Sequence, residues 1–133
     1  MTDYFNTLLT DEQLQTISVL GLANIGDSVY ELLVRTWLCA HGNKTSKDLH
    51  RQTVGYVNAQ AQARAAAKLL DKLSEEEHTA YKRGRNAKVN SVPKNADLSE
   101  YHAATGLETL FGYLYLKGKK DRINELFGMI VEV

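Results

Sequence analysis

Apolar residues recur three and four positions apart along almost all of this 133-residue chain, and its single proline, Pro93, falls in a stretch without such spacing. A 3.6-residue period gathers those residues on one helix face, whereas a half-buried strand needs strict alternation and a helix interior excludes proline. The spacing therefore predicts an all-α fold. A chain of this length can hide roughly two thirds of its unfolded surface in one core. No repeat, linker or low-complexity segment divides it, so residues 1–133 are expected to form a single helical domain.

Local signals place the helices. Thr10 or Asp11 can cap a short first helix that continues through Leu14, Ile17 and Leu20. Residues 22–40 give the strongest helix, closed by His41 and Gly42, with Gly21 and Gly26 permitting a bend or a close helix contact. Thr45 or Ser46 starts a helix to Thr53, and after Gly55 an alanine-rich run, "VNAQAQARAAAKLLDKL", resumes. Ser74 with Glu77 is a capping box, and Glu75, Glu76 and Glu77 sit at the positive end of that helix dipole, which is expected to run to residue 82. A polar connection follows, rich in glycine and asparagine. Ser99 then caps a helix over residues 100–117, and an amphipathic helix over 121–131 ends the chain.

The formal charge is zero, from 16 basic and 16 acidic residues, so an anionic partner would have to be met by local clustering. The first fifteen residues carry acids but no lysine or arginine, unlike an export leader, and no run of apolar residues is long enough to cross a membrane. A lone cysteine, Cys39, excludes a disulfide framework, agrees with a cytoplasmic location, and is expected to be inert core filler. Trp37, Tyr113 and Tyr115 are read as core by their helical spacing.

Two features depart from a plain helical pattern. Asp27 and Glu31 lie one turn apart in the first long helix, and Glu108 lies in the second, with Gly112 one turn later. An ionised carboxylate in apolar surroundings is costly unless paired or bound to metal. Should the two long helices cross, Asp27 and Glu108 could offer oxygen ligands to one Mg²⁺, an ion that takes one or two carboxylates together with waters and substrate phosphate. That arrangement suits phosphodiester cleavage. Salt bridges from Asp27 and Glu31 to Arg35 or to a neighbouring helix are the alternative.

The second feature is charge. Lys82, Arg83, Arg85, Lys88 and Lys94 fall between His78 and Asp97 with no acid among them, interleaved with Gly84, Asn86, Asn90, Ser91 and Asn95. Such a stretch suits phosphates and sugar hydroxyls, although a charge run is also what a solvated loop looks like. Other chemistries find no support. Glu75 and His78 make one E-x-x-H where a di-iron bundle needs two, His41, His50, His78 and His102 lack zinc-like spacing, and no phosphate-cradling glycine loop occurs.

These residues carry a resemblance. "NIGDSVYE" resembles the signature helix of the ribonuclease III catalytic domain, and "TGLETLFGYLYL" is similar to that family's second acidic helix. "KRGRNAK" and "PKN" look like its short variant, Mini-ribonuclease III. The resemblance spans essentially the whole chain. It implies a homodimeric, Mg²⁺-dependent endoribonuclease specific for double-stranded RNA, without an attached double-stranded-RNA-binding domain, that leaves 5′-phosphate and 3′-hydroxyl ends. It implies catalysis and metal binding by Asp27 and Glu108, and RNA binding by Arg83, Arg85, Asn86, Lys88, Lys94 and Asn95. It further implies maturation of the paired ends of the 23S ribosomal RNA precursor in the cytoplasm, with a ribosomal protein as a further partner. Ala23 and Thr105 occupy places where ordinary ribonuclease III has two more acids. A non-catalytic helical module that binds structured RNA or ribosomal proteins, and a purely structural helical dimer, are the rival readings.

Overall fold

The computed structural model describes residues 1–42, 45–88 and 97–132. Among them the regular elements are helices, with no strand. After a short 3₁₀ turn at Tyr4–Asn6 come α1 (Asp11–Gln15), α2 (Val19–Ala40), α3 (Ser46–Val57) and α4 (Ala59–Leu69), the last extended by a 3₁₀ turn; α5 (Glu75–Arg85), α6 (Leu98–Leu116) and α7 (Lys120–Val131) complete the chain.

α6 is the central rod. It packs most extensively on α2, then on α5 and α4, while α7 closes against α4 and α6. That position explains its lack of a polar face: Leu107, Leu110, Phe111 and Leu114 are buried together with Thr109, Gly106 and Gly112. α2 contributes the stripe Tyr30, Val34 and Leu38, spaced by four, and Tyr30 meets Phe111 and Phe127 edge-on at centroid distances of 5.3 and 5.8 Å. Ala65, Ala66 and Leu69 of α4 and Ile123, Leu126 and Phe127 of α7 fill the remaining side.

Caps set the helix ends as the chain reads, with instructive shifts. Ser18, whose hydroxyl accepts from the Gly21 amide at 3.0 Å, starts α2 a turn before the expected residue 22. α3 runs through Gly55 to Val57, because the break is made by Asn58, whose side chain caps α4. Asp97, not Ser99, caps α6. The capping box of Ser74 and Glu77 is present, and Glu77 does more than cap. Its carboxylate also receives Arg122 of α7 at 2.8 and 2.9 Å, with Arg122 reaching the Lys72 carbonyl as well.

The expectation for Cys39 fails: it is exposed, since the buried stripe of α2 ends on Leu38 and the next residue turns 100° away from it. Trp37, Tyr113 and Tyr115 are half-buried at the rim. Trp37 packs on His41 and Tyr56, the Tyr113 hydroxyl donates to Glu76, and that of Tyr115 donates to the Tyr4 carbonyl at 2.9 Å.

Candidate active site

The two long helices cross at glycines. A Cβ on Gly26 of α2 would lie 1.6 Å from the Glu108 carbonyl oxygen and 2.8 Å from the Gly112 nitrogen, and one on Gly112 would lie 2.0 Å from the Leu22 carbonyl oxygen. No side chain fits such gaps, so both positions require glycine on steric grounds. The space over Gly112 is thus filled by the α2 backbone. The crossing also decides what meets beside it, because Asp27 follows Gly26 and Glu108 lies one turn before Gly112. Their carboxylates come within hydrogen-bonding reach of one another, Asp27 exposed and Glu108 half-buried.

Burial pushes the Glu108 carboxyl up to about 8 from its ordinary 4.5. The negative charge of Asp27 and a hydrogen bond between the two acids act in the same direction, and the amide of Gln62 opposes them. Among the described residues no lysine or arginine pairs with either acid. A pair of acids at close range with no neutralising cation is a donor set that a hard divalent ion fits, completed by water and phosphate oxygens.

Neighbouring positions add no third acid. Among the described residues there is no cluster of three or more histidine, cysteine, aspartate or glutamate side chains suited to a metal. Ala23 is buried, and Thr105 is buried with its hydroxyl donated to the Tyr101 carbonyl at 3.1 Å. Glu31 is not part of the pair. It bonds Arg35 one turn on, at 3.3 Å, so the salt-bridge reading holds for Glu31 and fails for Asp27.

The basic stretch begins on a helix rather than in a loop. α5 continues past residue 82 to Arg85, because Gly84 lets it pack against α6: a Cβ there would lie 2.2 Å from Thr109 Oγ1. Gly106 returns the contact, with the Tyr81 ring 2.7 Å from its would-be Cβ. Lys82, Arg83 and Arg85 lie in the last turn, Asn86 caps it and Lys88 follows, all exposed. Cations at this end are favoured by the helix dipole, and the Arg85 guanidinium lies 5.9 Å from the centroid of the Tyr81 ring. Because Thr109 adjoins Glu108, the basic end of α5 sits against the turn of α6 that carries the acid. Lys94 and Asn95 lie outside the described residues.

Gln62 was not among the residues expected at the site. Its position could have been read from the chain: Gln62, Ala65, Ala66 and Leu69 share one face of α4, so a single amide interrupts a stripe that is otherwise small and apolar.

Comparison with known proteins identifies the family of the fold. Residues 20–119 match the family model described as the Ribonuclease III domain. A Mini-ribonuclease 3 from Thermoanaerobacter sp. (strain X514) is 45% identical over 126 residues, covering 95% of this chain and 89% of that one. Another, from Brevibacillus brevis (strain 47), is 48% identical over 107 residues, covering 80% of each. A crystal structure of a protein from Fusobacterium nucleatum superposes with a TM-score of 0.79 at 29% identity, over 87% of this chain and 94% of that one.

Proposed function

The chain belongs to the ribonuclease III family and is an endoribonuclease of that type, and on this premise we propose that Asp27 and Glu108 form its metal-binding catalytic centre. The observation that carries the reading is the meeting of the two carboxylates at the glycine crossing, with no lysine or arginine among the described residues paired to either. The ion is Mg²⁺ and the substrate is double-stranded RNA, which enzymes of this family cleave.

Hydrolysis forms a bond from a water oxygen to phosphorus and breaks the bond from phosphorus to the 3′ oxygen, which takes up the proton. The products carry 5′-phosphate and 3′-hydroxyl ends. A bound divalent ion supplies an activated water and charge stabilisation at the leaving oxygen. Asp27, on the exposed side, and Glu108, on the buried side, are the residues that would hold that ion. Binding of a divalent ion would require Glu108 to be ionised, so it would be favoured by rising pH. Arg83, Arg85, Asn86 and Lys88 contact the RNA backbone, and Lys94 and Asn95, which lie outside the described residues, are assigned the same role by resemblance.

The enzyme works as a homodimer in the cytoplasm, each subunit cutting one strand. α2 exposes Leu20 and Leu32, apolar surface that a second copy would cover. The natural substrate is the paired ends of the 23S ribosomal RNA precursor, with a ribosomal protein aiding its presentation. Among the described residues no helix is long and apolar enough to cross a membrane. Incubation of duplex RNA with the wild type, Asp27→Asn and Glu108→Gln, with and without Mg²⁺, tests the centre. Each substitution should abolish cleavage while leaving the fold intact, and a wild-type rate in either ends the assignment.

A further inference from the structure

Gln62 is 2% exposed, and its Nε2 makes no well-formed hydrogen bond to any described protein atom. An amide donor is expensive to bury unpaired, and leucine would suit its place on the α4 stripe better. Yet the side chain faces the acid pair from α4, close enough to Glu108 to act on its carboxylate as a donor, while Asp27 approaches the same carboxylate from α2. Glu108 is therefore held between an acid on one helix and an amide on another.

We propose that Gln62 is a positioning residue, whose amide nitrogen donates to the Glu108 carboxylate and orients it toward a divalent cation shared with Asp27. The inference rests on the metal-centre reading above. It explains why the position carries an amide rather than a base. Lysine or arginine would orient Glu108 equally well but would cancel the negative charge that draws the cation, whereas a neutral donor orients and leaves the charge in place. Partners of metal ligands elsewhere have this role, and losing one costs about 10–100-fold in metal affinity or activity. It also explains why Gln62 Nε2 has no hydrogen-bond partner among the described residues, since the Glu108 carboxylate would turn to meet it only with a cation bound.

The test is a titration of the full chain with Mn²⁺, without RNA, read from the loss of the free Mn²⁺ paramagnetic resonance signal. Wild type, Asp27→Asn, Gln62→Leu and Gln62→Met are compared, with circular dichroism and metal-free melting on each. The expected result is metal binding by the wild type, its loss in Asp27→Asn, and a dissociation constant raised at least about tenfold in Gln62→Leu. Metal-free melting of Gln62→Leu should equal or exceed that of the wild type. In cleavage assays the same variant should need correspondingly more Mg²⁺ and recover kcat at saturating metal, which a merely structural defect would not do. Should leucine fail to pack, methionine, which is nearly isosteric with glutamine, gives the same comparison. Gln62 variants that bind Mn²⁺ within twofold of the wild type, while Asp27→Asn does not bind it, overturn the role of Gln62 alone. Equal binding by wild type and Asp27→Asn overturns the metal centre and the inference together.

Discussion

Replacing Glu108 by glutamine should stabilise the metal-free protein at neutral pH while removing its activity. The native protein holds the Glu108 proton up to pH about 8, whereas an unfolded glutamate releases it near 4.5. Between those values the unfolded state binds fewer protons than the native state, so stability falls as pH rises. At pH 7 the gap is two and a half pH units, which at about 1.4 kcal/mol each gives a penalty on the order of 3–3.5 kcal/mol. Glutamine keeps the shape and can bond Asp27 without that penalty. For a chain of this size the gain corresponds to about 10–15 °C in Tm at pH 7. It should shrink to a few tenths of a kcal/mol, about 0.4, at pH 4.5, where the native state is protonated and the unfolded glutamate half so. Thermal melts of the two proteins in EDTA at pH 4.5, 6, 7 and 8 measure it directly. Curves that coincide at pH 7 and 8, or a difference that grows toward acid, would show that Glu108 is not held in the environment described here.

Two glycines should respond in opposite directions. Gly26→Ala drives a methyl group into the Glu108 carbonyl and should cost at least about 3 kcal/mol in urea unfolding, while Gly55→Ala, in open space within α3, should add about 0.5–1 kcal/mol. Removing the charges of Arg83 and Arg85 together should weaken duplex RNA binding about evenly across sequences and reduce the slope of log K against log salt by roughly 1–2. Binding measured between 50 and 200 mM salt checks this, and an unchanged slope would place the end of α5 off the RNA path.

Much of the fold was legible because local signals and tertiary packing agree. The all-helical class, the Ser74 and Glu77 capping box and the buried spacing of α7 all follow from rules that act within a turn or two. The misses arise where a distant contact decides. Gly84 reads as a loop residue but continues α5 because Thr109 needs it small, and Glu77 reads as a cap but also anchors Arg122, 45 residues away. Cys39 reads as buried from its apolar neighbours, though its angle on the helix turns it outward. At the site, the meeting of Asp27 and Glu108 was available only as a conditional, since helical spacing gives the face of each acid but not the crossing that joins them. Glycines at positions 26 and 112 were the visible trace of that crossing. Gln62 is legible only from its face: among alanines a glutamine looks like ordinary helix composition, and its place on the stripe with Ala65, Ala66 and Leu69 is what sets it apart.

The most direct measurement is an anomalous-scattering map from crystals of this chain grown or soaked in Mn²⁺. A peak within coordination distance of both the Asp27 and Glu108 carboxylates is expected, at about 2.0–2.3 Å, with the remaining ligands water. A strong peak elsewhere, with the two acids left bonded only to each other or to protein, would contradict the assignment of this crossing as the catalytic centre.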